Sequence, residues 1–378
     1  MIALALGWLL VAIWAYLLLG RGFFWRAAVA PVPALPATRP PRVVAVIPAR
    51  NEAESVGRAV VSLLDQDYRG DLSIVLVDDH SHDGTAEIAR TAAAGRGDRL
   101  TVVAARSLPG GWTGKLWALS EGVRQIANPP DLYLFTDADI EHHRSNVTEL
   151  VARLEAEQRD LASLMVKLHC ESFAEKFLIP PFVFFFALLY PFSWVAHPRK
   201  KTAAAAGGCI LIRRSAYERI GSYAAIKGQL IDDCALAAAV KRGGGSIWLG
   251  LTQDTESLRL YPHIGDIWNM VARTAYTQLD YSPLLLAGTV LGLVTAYLGP
   301  VLLLLFCGGN ARWLGLAAWA VMTAIYAPML RFYGRSLLWA PLLPAAASIY
   351  LGATIASAWR HWRGRGGEWK GRVQWQSR

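Results

Sequence analysis

Apolar residues along the chain fall into runs of two lengths, and each length predicts a different kind of element. Short runs rich in β-branched and aromatic residues occupy positions 42–47, 72–77, 100–104 and 133–139. Polar and glycine-bearing stretches follow them, and the segments between carry helical signals, including one from Lys115 to about Ala127. This alternation predicts a β-α-β-α-β-α-β order in an α/β domain. Long apolar runs lie at the two ends, at 1–20, 284–306, 313–330 and 337–359, each about long enough to span a bilayer. One further long run, 177–196, interrupts the middle of the chain. It holds Pro180, Pro181 and Pro191 and ends in His197-Pro198-Arg199-Lys200-Lys201.

Charge around these runs suggests how they meet a membrane. Arg21 and Arg26 follow the first run, which places its end on the cytoplasmic side. A cleaved signal peptide would carry its charge before the apolar core, so a retained anchor over 1–20 is expected. Residues 21–41 read as a linker, stiffened by five prolines between positions 31 and 41. The catalytic domain is expected over 42–282, transmembrane helices over 283–359, and a basic tail over 360–378. Had 177–196 crossed the bilayer, the two halves of the domain would face opposite sides. It is therefore expected to lie in the cytoplasmic interface, with its basic end on lipid headgroups; a buried helix pair is the competing reading. Three C-terminal crossings would put the basic tail outside, against the positive-inside rule, unless one segment, with the last favoured by Pro341 and Pro344, is re-entrant.

Composition supports this picture: 54% of the 378 residues are hydrophobic and 18% charged, which excludes a disordered chain. The net charge of +9 gathers beside apolar segments and in the tail, as suits an anionic leaflet, and no nucleic acid is expected as a partner. The four cysteines show no metal-ligand spacing and are expected to be reduced. The location expected is the inner (plasma) membrane, multi-pass, with a cytoplasmic catalytic domain.

Candidate chemistry sits at the strand ends. Thr136-Asp137-Ala138-Asp139 closes the fourth short run, and a strand's period of two sends both carboxylates to one side. Such a pair calls for a cation, and its hard oxygens suit Mg²⁺ or Mn²⁺ with substrate phosphates completing the shell. Pro48-Ala49-Arg50-Asn51-Glu52 follows the first strand, at the carboxyl edge where open α/β sheets bind nucleotides. The second strand ends in Asp78-Asp79, which a helix-start signal does not explain, whereas Asp83 and Thr85 are accounted for by the turn they open. Gly110-Gly111-Trp112-Thr113-Gly114-Lys115 lacks P-loop spacing but offers a lysine at a helix start that could meet phosphate. Small residues from Ala203 to Gly208 read as a site floor. Asp232-Asp233 then opens a helix, where capping explains one aspartate more readily than both.

Ile47-Pro48-Ala49-Arg50-Asn51-Glu52, Val77-Asp78-Asp79-His80-Ser81-His82-Asp83-Gly84-Thr85, Gly114-Lys115 and Thr136-Asp137-Ala138-Asp139 stand in the order and spacing of a family 2 glycosyltransferase. With the membrane layout, the chain most closely resembles the hopene-associated glycosyltransferases, a bacterial branch near the ceramide glucosyltransferases. The resemblance covers roughly 42–282. It implies a GT-A, Rossmann-like nucleotide-diphospho-sugar transferase domain with a mixed central sheet, flanked by N- and C-terminal transmembrane helices. It further implies a nucleotide-sugar site that includes Pro48, Arg50, Asn51, Glu52, Asp78, Asp79, Lys115 and Asp137. A divalent metal would sit on Asp137 and Asp139, and the general base would be Asp233, with Asp232 beside it. The family's Gln/Arg-x-x-Arg-Trp motif is absent, and Arg273 and Gln278 are the nearest candidates. The expected activity is inverting transfer from a nucleotide sugar, with a UDP-sugar favoured, to a lipid-associated and hopanoid-related hydroxyl. A processive polysaccharide synthase and a non-catalytic membrane scaffold are the alternatives.

Overall fold

The structure, a computed structural model, describes residues 1–34 and 39–364 and the backbone of 368–369 and 372–373. Part of the proline linker and most of the basic tail lie outside these residues. Four strands come from the short runs: β1 (Val43–Ala49), β2 (Leu72–Asp78), β3 (Leu100–Ala104) and β4 (Leu132–Thr136). Every residue of β1 and β4 is buried, as expected for strands covered on both faces. The chain then adds β5 (Ile140–Glu141), β6 (Leu161–Lys167), β7 (Cys209–Arg213) and β8 (Ile247–Ser257). The eight form one sheet in the order β3-β2-β1-β4-β7-β6-β8-β5. The first four strands are mutually parallel, β7 runs antiparallel to both β4 and β6, and β8 runs parallel to β6. The expected mixed sheet is present.

The helices over this sheet follow from periodicity. Val56–Leu64 buries Val56, Ala59, Val60, Leu63 and Leu64, an apolar stripe at helical spacing. The helix Gly114–Arg124 approaches β1 and β2 so closely at Gly122 that an added Cβ would stand 2.5 Å from Val46 Cγ1 and 2.8 Å from Val77 Cγ2. Only glycine permits that approach.

Packing divides the chain into two units. The sheet unit comprises Val29–His169 and Trp194–Leu260, and the helical unit comprises Met1–Ala28, Cys170–Ser193 and, among the described residues, 261–364. The helical unit therefore takes in 170–193 and 261–282, which the sequence boundaries had kept with the catalytic domain. It contains Ile2–Leu19, Phe173–Leu189, Ile264–Thr274, Pro283–Leu293, Gly299–Phe306, Gly309–Phe332 and Leu343–Trp362. Small residues bring these helices together: a Cβ on Gly315 would stand 2.7 Å from the Pro300 carbonyl. The Trp14 indole N–H donates to the Ala296 carbonyl at 2.8 Å. The buried Glu175 accepts from the backbone N–H groups of Glu171, Ser172 and Tyr261, closing a capping box at the start of Phe173–Leu189.

Five helical segments are long and apolar enough to cross a membrane: Ile2–Leu19, Phe173–Ala196, Pro283–Phe306, Gly309–Phe332 and Leu337–Trp362. The sheet constrains the second. β6 precedes that segment and β7 follows it, yet the two strands are hydrogen-bonded neighbours, with Leu161 opposite Ile212 and Ser163 opposite Ile210. A single crossing would tear that ladder apart, so both ends of the segment must lie on the same side of any membrane. Single cysteines at Asp98 and Lys200, in a background without reactive native thiols, should label from the same side of sealed vesicles. Labelling from opposite sides would refute that topology.

Candidate active site

The carboxyl ends of β1, β2 and β4 lie side by side, so the residues that follow these strands share one edge. The loops after β1 and β2 are stitched together. Asn51 N–H donates to Ser81 Oγ, His82 N–H to Asn51 Oδ1, Glu52 N–H to Thr85 Oγ1, and Ala53 N–H to Asp83 Oδ2, all within 3.0 Å. Asn51 and His80 adopt left-handed backbone, at φ 51° and 57°. Such conformations persist where the surroundings over-determine them, and they gather at binding sites. Asp83 is committed to the turn, accepting from Thr85 N–H at 3.1 Å, as its local signal predicts. Pro48 is a residue of β1 itself, opposite Val77 of β2.

Asp78 and Asp79 separate in role. Asp78 Oδ1 accepts from Ser81 N–H at 3.3 Å. Asp79 is buried, its backbone N–H donating to Ala49 O at 2.8 Å, and Arg50 Nη1 lies 2.6 Å from its carbonyl and 3.5 Å from its Oδ2. Arg50 and Asp79 thus form a largely buried ion pair at this edge.

The Asp-x-Asp turn rests on a buried polar network. Thr136 Oγ1 donates to the Gly208 carbonyl at 2.7 Å and lies 2.9 Å from His142 Nε2, while Asn146 Nδ2 lies 2.8 Å from His142 Nδ1. These contacts are mutually consistent for a neutral imidazole carrying its proton on Nε2, accepting from Asn146 and donating to Thr136. Burial pushes the His142 pKa down to about 3, so the network stays uncharged. His142 fixes the residue that precedes Asp137, and no motif marked it.

Lys115 is the centre of the site. It lies in the first turn of Gly114–Arg124, and its Nζ stands 2.8 Å from Asp137 Oδ1 and 3.3 Å from Asp232 Oδ2. Burial works against its charge, but Asp137, Asp232 and Asp233 outweigh burial and hold the ammonium protonated well above the ordinary lysine range. Asp232 and Asp233 open the helix Asp232–Arg242. Asp233 Oδ2 accepts from Gly207 N–H at 2.8 Å, and its Oδ1 accepts from Cys234 N–H at 2.7 Å. Burial, then the Asp232 charge, raise the Asp233 pKa to about 6, with Lys115 and the two N–H donors limiting the rise. The predicted floor of small residues has a reason in Gly207, where a Cβ would stand 3.1 Å from Lys115 Nζ and 3.4 Å from Asp233 Oδ2.

Asp139 faces another cation. Arg259 Nε donates to Asp139 Oδ2 at 2.8 Å, and Arg259 Nη2 donates to Glu52 Oε1 at 3.2 Å. Burial and the neighbouring Asp137 push the Asp139 pKa up, and Arg259 and Lys115 oppose the shift. Asp137 and Asp139 offer the hard oxygens that Mg²⁺ or Mn²⁺ takes. Among the described residues no cluster of three His, Cys, Asp or Glu could hold a metal. The pair fits such an ion only with substrate oxygens or water completing the shell.

Sequence candidates Arg50, Asn51, Glu52, Asp78, Asp79, Lys115, Asp137, Asp139, Asp232 and Asp233 all belong to the sheet unit. Arg273 and Gln278 belong to the helical unit. Arg273 lies in the last turn of Ile264–Thr274, and Gln278 Nε2 donates to Tyr190 Oη at 2.6 Å.

Residues 44–221 match the profile of the family described as Glycosyl transferase family 2. This part of the chain is a glycosyl transferase family 2 domain. A curated relative, the 4,4'-diaponeurosporenoate glycosyltransferase of Staphylococcus haemolyticus (strain JCSC1435), is 32% identical over 114 residues. The match spans 30% of this chain and only 28% of that relative. Among solved structures, the mannosyltransferase PcManGT from Pyrobaculum calidifontis, in complex with GDP-Man and Mn²⁺, is similar with a TM-score of 0.56. That likeness covers 96% of this chain and 99% of the other at 21% identity, and it concerns the fold, which is GT-A. The family 2 match stops short of Asp232, Asp233 and Arg259.

Replacing Lys115 with methionine would leave Asp137, Asp232 and Asp233 facing one another without their shared cation. Loss of one partner of a fully buried pair costs about 3 kcal/mol, and the partial exposure of Asp137 sets the expected deficit below that. Because protonation relieves carboxylate repulsion, the deficit should be largest above pH 7 and shrink below pH 6. Thermal midpoints of Lys115→Met and wild type across that range check this; a deficit that grows on acidification would contradict it.

Proposed function

We propose that the protein is a membrane-anchored, inverting glycosyltransferase that moves a sugar from a nucleotide-sugar donor to a hydroxyl of a lipid-associated acceptor. The observation that carries this reading is the arrangement around Lys115. One ammonium joins the Asp-x-Asp carboxylate Asp137 to an acidic pair whose second member, Asp233, has a pKa of about 6 and two backbone donors. Leaving-group chemistry and proton removal are thereby given to separate carboxylates on one edge. A general base works best when its pKa lies near the working pH.

The loops after β1 and β2, with Asn51 in the first, Asp78 at the end of β2 and the Arg50–Asp79 pair between them, would take the nucleoside. Lys115 places positive charge where a diphosphate would sit. A divalent ion held by Asp137 and Asp139 would supply charge compensation for the leaving nucleoside diphosphate. Asp233 would accept the proton of the acceptor hydroxyl as its oxygen bonds to the anomeric carbon and the carbon–diphosphate bond breaks on the opposite face. That single displacement inverts the anomeric centre. The apolar helices supply the argument for a lipid acceptor. A UDP-sugar donor and a hopanoid-related acceptor are the specific forms carried by the sequence resemblance. The apolar segment 177–196 is read as lying in the membrane interface.

Asp233→Asn should keep donor affinity within a few-fold while transfer falls by about two to four orders of magnitude. In the wild type, transfer should rise with pH through a midpoint near 6 and then level, because Asp233 acts only when ionised. Calorimetry with UDP and GDP sugars, and mass spectrometry of lipid products, provide the readouts. Normal transfer per folded Asp233→Asn molecule would remove Asp233 from the chemistry and turn attention to Asp232. Asp79→Ala should instead weaken donor binding and lower the thermal midpoint, since it leaves the Arg50 guanidinium facing a lost buried partner.

A further inference from the structure

Arg259 belongs to no motif, yet the sheet delivers it to the Asp-x-Asp turn. Glu256 and Ser257 at the end of β8 pair antiparallel with Glu141 and Ile140 of β5, and Leu258 N–H donates to the Asp139 carbonyl at 2.7 Å. This backbone ladder fixes the next residue beside Asp139. Its guanidinium then reaches two carboxylates from different parts of the chain, Asp139 at 2.8 Å and Glu52 at 3.2 Å. Both carboxylates are largely covered, with side chains 13% and 15% exposed, whereas the arginine side chain is 35% exposed. The guanidinium therefore has access to an incoming ligand that its partners lack.

Arginine does not lose its charge at any working pH, so the pair can be relieved only by exchange of partners. A divalent ion on Asp139 would share that carboxylate with a fixed positive charge, and like charges so close oppose each other. A diphosphate removes the conflict, because phosphate oxygens suit a guanidinium fork and also ligate the ion.

We infer that Arg259 is an exchange residue. It neutralises Asp139 and Glu52 while the donor site is empty, and it turns to a phosphate oxygen when a nucleoside diphosphate enters, releasing Asp139 to a divalent cation. The inference rests on the reading of Asp137 and Asp139 as the metal–diphosphate site. It adds to the coupling that direct metal–diphosphate contact already gives, and that added part is carried by Arg259.

The test measures Mn²⁺ affinity of the full-length, detergent-solubilised protein by electron paramagnetic resonance, without nucleotide and with saturating UDP or GDP. In the wild type the nucleoside diphosphate should tighten Mn²⁺ at least tenfold. Arg259→Gln should bind Mn²⁺ alone about tenfold more tightly than wild type, and the further tightening by nucleotide should be about tenfold smaller than in wild type, what remains being the ion's direct contact with the diphosphate. Arg259→Lys keeps the charge without the fork and should tighten Mn²⁺ alone two- to threefold, which preserves the test if the glutamine variant does not fold. A folded variant whose metal-only affinity is unchanged or weaker, with nucleotide binding intact, overturns the exchange alone. Absence of UDP and GDP binding from wild type and variants alike overturns the donor reading and the exchange with it.

Discussion

A largely covered ammonium amid three carboxylates is the constraint on which the sheet unit's site depends. Lys115 comes from a helix between β3 and β4, Asp137 from the end of β4, and Asp232 from a helix that follows β7. Without a cation these acids would repel one another or take up protons. With it, three parts of the sheet unit are held to one point, and the acid beside that point is tuned to titrate near neutrality.

The reversal of strand direction at β7 makes this possible. A parallel strand beside β4 would bring its carboxyl end to the site, whereas antiparallel β7 brings its amino end and the Gly207-Gly208 backbone. Gly207 donates to Asp233, and Gly208 accepts from Thr136, so one dipeptide supports both the acid on the helix and the turn that bears Asp137. The missing side chain at Gly207 leaves room for the lysine and aspartate to meet.

Much of this was legible locally. The four short apolar runs became β1 to β4, and the long runs became helices of membrane-spanning length, because period and composition are properties of neighbouring residues. Asp137 with Asp139 stood out because a strand's period of two sends both carboxylates to one side, and Asp232 with Asp233 because capping explains one aspartate more readily than both. Arg259 was silent for the opposite reason: 120 residues separate it from Asp139 and 207 from Glu52, and nothing around it in the chain announces those partners. The burial of Asp79 beneath Arg50 was likewise hidden, since a strand-end aspartate reads the same whether it faces a ligand or an arginine. Grouping 170–193 with the apolar helices follows from three-dimensional packing that no local window contains.

The position of the apolar excursion between β6 and β7 has a consequence for how the protein is made. The β1-to-β4 half of the sheet grows from neighbouring β-α-β units and can form soon after synthesis. β7, the strand that joins this half to β6, is made only after a long hydrophobic segment has left the ribosome. Until it arrives, β4 lacks a neighbour on one edge and β6, whose other partner β8 is made later still, lacks both, the kind of surface on which chains aggregate. Biogenesis is thus exposed at one interval, and prompt removal of that segment from water is part of what allows the sheet to close.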